Sequence, residues 1–193
     1  IGEINGTGDA TGGIIGQIRD NSTLEKCYNY GNITGNEWTG GVIGLCLNDA
    51  YIEECYNVGS ISGSGNNVGG IIGKIDTSTL IDSYNVGTIL SGLDYIGGIT
   101  GHIDYGVIQN CYNIGLINTT NASYIGGVVG RVANTSQFTN CFYLQGVVNK
   151  ENNIEGVTKC TENELKNITS ILGSKWEEDT EGINDGYPIL SWQ

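Results

Sequence analysis

Apolar and small residues return along this chain in one fixed phrase, separated by polar stretches of nearly constant length. The phrase is Gly12-Gly13-Ile14-Ile15-Gly16. It recurs as Gly40-Gly41-Val42-Ile43-Gly44, Gly69-Gly70-Ile71-Ile72-Gly73, Gly97-Gly98-Ile99-Thr100-Gly101 and Gly126-Gly127-Val128-Val129-Gly130, at intervals of 28 or 29 residues. A second phrase keeps the same interval: Cys27-Tyr28-Asn29, Cys55-Tyr56-Asn57, Ser83-Tyr84-Asn85, Cys111-Tyr112-Asn113 and the degenerate Cys141-Phe142-Tyr143. Self-similarity at such a period marks a solenoid or array in which each repeat is one structural unit.

Each unit contains three short strand-like runs with turn formers between them. The first is the Gly-Ile-Ile-Gly-x-Ile run, as in Ile14 to Ile18. The second surrounds Cys-Tyr-Asn and begins at Leu24, Ile52, Leu80, Ile108 or Phe138. The third centres on Ile33, Ile61, Ile89 or Ile117. Runs of this length with Asn, Asp, Ser and Gly punctuation are strand signals, and no helical period occurs within the repeats. An all-β parallel β-helix, expected to be right-handed, accommodates residues 1–146 as an incomplete rung, residues 1–11, followed by about five rungs of 28 or 29 residues. Equivalent residues then stack in columns. Alternation places Ile14, Gly16 and Ile18 on one inward face. Asn29, Asn57, Asn85 and Asn113 can bond amide to amide along the axis, and with cysteine inward the tyrosines point outward. The competing β-propeller has a longer usual unit, of about 40–50 residues.

After Gly146 the period stops. Thr161-Glu162-Asn163-Glu164 is a capping box, followed by Leu165, Ile168, Ile171 and Leu172 at helical spacing and by Gly173 as a stop. Residues 147–193 are therefore expected to form a carboxy-terminal cap, with a helix near 162–172 and a last strand near 187–192. Solenoids need such caps because a terminal rung exposes core and strand edge.

Composition narrows the functions. The net charge is −13, from 21 acidic and 8 basic residues among 193. Nucleic-acid binding, which needs clustered cations, is disfavoured, as is docking on an anionic membrane. There is no long apolar run and no signal-peptide pattern. The chain opens at Ile1, without Met and inside a repeat, which suggests a fragment of a longer, processed protein. Cys27, Cys55, Cys111 and Cys141 share one repeat position, and Cys46 occupies a slot filled elsewhere by Ile18, Ile75, Ile103 and Val132. Buried thiols acting as small apolar side chains explain this, Cys160 lying apart in the cap. Disulfides between neighbouring rungs, or between Cys141 and Cys160, remain the alternative.

The repeat resembles the GLUG motif family, whose diagnostic phrases stand here as Gly-Gly-Ile-Ile-Gly followed 14 residues later by Cys-Tyr-Asn-x-Gly. The resemblance covers residues 1–146, and the Trp, Gly-Tyr-Pro-Ile-Leu and Trp elements of the tail look like the closing segment that follows such repeats. It implies an extracellular or cell-surface bacterial protein, of the adhesin-like kind or of the M26 class of immunoglobulin A peptidases, with a β-helical stalk or recognition module. Catalysis is not implied. Those peptidases hold zinc on a His-Glu-x-x-His helix, and this chain has His102 alone.

Candidate chemistry is sparse. His102 falls in the variable column Gln17, Leu45, Lys74, His102, Arg131, as a surface position would. Asp20, Asp49, Asp76 and Asp104 recur near one turn. They could serve polysaccharide cleavage or hold Ca²⁺, although turn propensity explains them. The sharper candidate is the aromatic column Tyr28, Tyr56, Tyr84 and Tyr112, continued by Phe142. As an outward stripe it could stack on sugars or pack a partner. The sequence thus predicts a non-catalytic module for adhesion or ligand display, without metal or cofactor. Its expected partners are a host glycoprotein, a glycan or another surface protein, together with upstream domains of the same polypeptide. The alternatives are a spacer or substrate-recognition segment of a larger M26-type peptidase, and a polysaccharide-active β-helix enzyme.

Overall fold

The computed structural model describes residues 2–91, 93–119, 122–150 and 152–193; Ile1, the first residue of the expected incomplete rung, lies outside them. Successive repeats stack as turns of a β-solenoid, every strand pairing in parallel with its equivalent one period away. Four sheets run along the axis. The first joins Glu3–Asn5, Asn32–Gly35, Ile61–Gly63, Ile89–Ser91 and Ile117–Thr119. The second joins Ala10–Gly12, Trp38–Gly40, Val68–Gly69, Ile96–Gly97 and Ile125–Gly126. The third joins Ile15–Ile18, Ile43–Cys46, Ile72–Asp76, Thr100–Asp104 and Val129–Val132. The fourth carries the Cys-Tyr-Asn phrases, fully formed in Thr79–Asn85, Val107–Asn113 and Gln137–Leu144. The repeat pattern predicts three runs. The second sheet escapes it because its strands are two or three residues long and end on the first glycine of the phrase.

Two local devices replace simple alternation. At the Gly-Gly corner the amides of Ile14 and Ile15 both bond the carbonyl of Val42, at 3.0 and 3.1 Å, and the arrangement repeats at Val42 and Ile43 over Ile71. Doubling two residues against one resets the in–out phase, as a bulge does. The expected single inward column at Ile14 therefore becomes two. Val42, Ile71, Ile99 and Val128 are buried, and so are Ile43, Ile72, Thr100 and Val129. In the fourth sheet the residue before each cysteine, or before Ser83 in the third copy, is left-handed: Lys26, Glu54, Asp82, Asn110 and Asn140 have φ of 52, 52, 45, 51 and 50°. Leu80 and Ser83 are an odd number apart yet both buried, because this kink lies between them. Cysteine and asparagine then face in, and tyrosine faces out.

The two sequence phrases meet inside the coil. Asn29, Asn57 and Asn85 each donate Nδ2 to the Oδ1 of the next asparagine at 2.8 Å, the last acceptor being Asn113. The same amides donate to the carbonyls of Gly31, Gly59 and Gly87. This satisfies side chains that burial would otherwise penalise. The ladder lies against the second glycine of the other phrase. A Cβ on Gly70 would stand 2.5 Å from Asn85 Cγ and 2.0 Å from the Gly98 carbonyl. No residue larger than glycine fits there, so both phrases keep one beat. All six cysteines are unpaired. Burial raises the thiols of Cys46, Cys55 and Cys141 to about 12, so they behave as inert core residues.

The carboxy-terminal residues do two jobs. Val147 and Val148 are buried against the end of the core. Val157–Cys160 adds a further strand to the fourth sheet, and Asn152 donates to the Val129 carbonyl at 2.6 Å. Thr161 closes its capping box with Glu164 as expected, but the helix is two pieces, Glu162–Lys166 and Thr169–Leu172. It breaks at Asn167, whose backbone leaves the helical region. The last strand, Ile189–Leu190, pairs antiparallel with Trp176–Glu177.

Candidate functional site

The tyrosine column is built as the phase argument requires. Parallel register brings Tyr56 beside Tyr28 and Tyr84, and the kink before each cysteine turns the rings out of the coil. Tyr28 and Tyr56 stack at 5.2 Å, Tyr56 and Tyr84 at 5.1 Å, and Tyr84 and Tyr112 at 5.0 Å, with interplanar angles of 14° or less.

The expected open stripe is not what the fold leaves on the surface. Tyr56, Tyr84, Tyr112 and Phe142 are buried together with Leu165, Ile168, Leu172, Trp176, Tyr187 and Leu190. The segment after Cys160 folds back along the flank instead of ending on the last rung, because the outward tyrosines are themselves a large apolar surface to cover. It is anchored by polar contacts as well. Tyr112 donates to the Pro188 carbonyl and accepts from Asn184 Nδ2 at 2.7 Å. Tyr84 bonds Gln193 at 3.1 Å. Burial pushes both phenols well up.

Sequence reasoning missed the column beside the tyrosines. The kink residues Glu54 and Asp82 face outward and are buried by the same segment. Lys175 pairs with Glu54. Trp176 donates Nε1 to Asp82 at 2.9 Å, and Asn110 donates to the same carboxylate at 3.0 Å. The available signal was a polar residue before every Cys-Tyr-Asn copy.

One end of the aromatic column stays open. Tyr28 is 48% exposed, and Tyr30 packs edge-on against it at 5.4 Å. Trp192 leans over Tyr28 and Tyr56 at 6.2 and 5.8 Å. The same end bares the heads of the core columns. Ile4 is 36% and Ile14 is 44% exposed, whereas their successors Ile33, Ile61, Val42 and Ile71 are at most 1% exposed.

The remaining candidates do not converge. Asp76 stands opposite Asp104. Asp20, however, aligns with Asn48, whose Nδ2 it accepts at 2.9 Å, and Asp49 falls one position further on. The four aspartates thus occupy three columns at a turn where Asp20, Asn48 and Asp49 have φ near 60°. His102 is half-buried between Lys74 and Arg131 in register. Burial first, and these two cations second, lower its imidazole to about 4. Among the described residues no group of three or more His, Cys, Asp or Glu side chains is arranged to hold a metal ion.

Comparison with known proteins places the architecture. No protein-family model matches the chain, and no curated protein matches it. A crystal structure of a putative immunoglobulin A1 protease from Bacteroides ovatus is similar to it, with a TM-score of 0.57 at 20% identity. The match covers 89% of this chain and 58% of the other, so the chain spans little more than half the length of that protein. At this identity the likeness establishes the solenoid fold. No helix among the described residues is long and apolar enough to cross a membrane.

Proposed function

We propose that this chain is a non-catalytic GLUG-type solenoid segment of a secreted bacterial protein, serving as a spacer or substrate-recognition arm of a larger peptidase. The observation that carries this reading is the contrast between the bare and sealed ends of the same columns. Four sheets end at the amino-terminal side on strands with one partner only, and Tyr28, Ile4 and Ile14 are exposed there. Asn29 Oδ1 accepts from the Gly31 amide, as Asn85 and Asn113 do from Gly87 and Gly115, but it has no asparagine above it. The face offers what another rung of the same kind would use: a strand edge in each sheet, an open amide, and a tyrosine ring to stack upon. The immunoglobulin A1 protease likeness supports a peptidase setting and an extracellular location. Burial of Tyr56, Tyr84 and Tyr112 counts against adhesion through the tyrosine stripe. Dispersal of the aspartates counts against a polysaccharide-cleaving site.

Fusing one additional repeat, a copy of residues 41–68 joined in period before residue 12 in place of residues 1–11, tests the reading. The extra rung is expected to raise the melting temperature and to shield Tyr28 from iodide quenching. An unchanged melting temperature with Tyr28 still accessible would show that the face is not built to continue the coil.

A further inference from the structure

A second aromatic strip lies on the second and third sheets, and it is partly open: Tyr124 is exposed, while Lys74, Tyr95, His102 and Arg131 are half-buried. Parallel register aligns Asn67, Tyr95 and Tyr124, the residues preceding Val68, Ile96 and Ile125 in the second sheet. In the third sheet it aligns Lys74, His102 and Arg131. The two columns touch. Tyr95 lies 5.3 Å from Tyr124 and 5.6 Å from the His102 ring. The Arg131 guanidinium sits 4.7 Å from the Tyr95 ring centre and 5.9 Å from that of Tyr124. Tyr124 is exposed.

The charges of this strip are unusual for the molecule. The chain has 8 basic residues against 21 acidic, and two of the eight flank one histidine here. Arg131 makes no ion pair among the described residues. The nearby Asp104 accepts Asn134 Nδ2 at 2.7 Å, and Asp76 lies 3.9 Å from Lys74. Arg131 therefore presents an unpaired planar fork, held in place by two tyrosine faces, which suits a carboxylate bidentately. Tyrosine faces beside it suit the apolar face of a sugar ring. Lys74 and Arg131 stand two rungs apart, about 10 Å at ordinary strand spacing, an interval that a β-linked disaccharide also spans.

We propose that Lys74, Tyr95, Tyr124 and Arg131 form a binding strip for an acidic oligosaccharide with a carboxylate on alternate sugars, lying along the solenoid axis. One acid group meets Arg131 while its ring rests on Tyr124, and the next acid group meets Lys74. This does not depend on the stacking role argued above, since the strip is on another face.

A hexasaccharide of alternating glucuronate and N-acetylglucosamine, its carboxyl-reduced counterpart and a hexaglutamate peptide would be titrated against the whole chain by calorimetry. The acidic sugar is expected to bind, with an affinity that falls as salt rises. The reduced sugar should bind at least about tenfold more weakly, the scale of one charge-assisted hydrogen bond. Arg131→Gln and Tyr124→Ala should each weaken binding by a similar factor, with circular dichroism unchanged, while Arg19→Gln, outside the strip, should leave it intact. Absence of binding to the wild type, equal binding of the reduced sugar, or equal binding of hexaglutamate would overturn the proposal. So would Arg131→Gln behaving as wild type.

Discussion

The two ends of the solenoid are made from the same columns, yet one is covered and the other is bare. At the carboxy-terminal end Tyr143 takes the position after Asn113 and stops the asparagine ladder. Val147 and Val148 cover the core, and Asn152 occupies the last carbonyls of the third sheet. At the amino-terminal end Ile4, Ile14 and Tyr28 carry the same or closely similar side chains as their successors but lack a neighbour on one side. The difference teaches that a repeat's contribution depends on its neighbours more than on its own residues, the nearest-neighbour behaviour expected of a linear stack.

The comparison can be broken most severely in the middle of the ladder. Gly70→Val would force atoms into Asn85 and the Gly98 carbonyl, and the expected loss is above about 4 kcal/mol. Urea denaturation should show an unfolded or fragmented protein, and retention of a cooperative transition near wild type would refute the packing described. Next comes the aromatic column. Tyr112→Ala should cost about 3–5 kcal/mol as a buried aromatic truncation, and Tyr28→Ala less than about 1 kcal/mol. Equal costs would mean that the carboxy-terminal segment does not seal the column in solution.

A subtler test uses one aliphatic column. Ile61→Ala is expected to cost about 2–5 kcal/mol, while Ile4→Ala, at the bare end, should cost a small fraction of that. The fused rung, which extends the Ile14 column rather than that of Ile4, should raise the cost of Ile14→Ala toward that of the buried Ile71→Ala, which would join this comparison to the stacking role.

The smallest effects are in pH. Cys46, Cys55 and Cys141 hold their protons in the folded state up to about 12, against 9 when unfolded. Their contribution is complete below pH 9 and is lost as pH climbs toward 12, because only the unfolded chain releases those protons. His102 acts at the other side. Its folded value of about 4 lies below the unfolded 6.5, so its contribution is complete above pH 6.5 and is lost as pH falls toward 4. Between pH 6.5 and about 4 the melting temperature of wild type should fall more steeply than that of His102→Gln, and equal slopes would show that the fold does not resist protonation of His102.

Much of the fold was legible in the amino acids. Stacked parallel strands bring identical positions together, so the requirement for one side-chain type per column is written directly into the repeat. This is why the period, the asparagine ladder, the aliphatic slot of Cys46 and the capping box at Thr161 could all be read in advance. The second sheet, the doubled column at the Gly-Gly corner and the left-handed residues before cysteine could not. They depend on backbone angles that leave only a faint compositional trace.

The accessibility of the tyrosines was decided by the tertiary structure alone. Periodicity states which way a side chain leaves the strand, but whether water or protein meets it depends on residues more than seventy positions away, as Asn184 and Pro188 are from Tyr112. The pairing of Tyr95 and Tyr124 with Arg131 was equally hidden. Each sits in a column whose neighbours vary, and only the corner between two sheets brings those columns into contact.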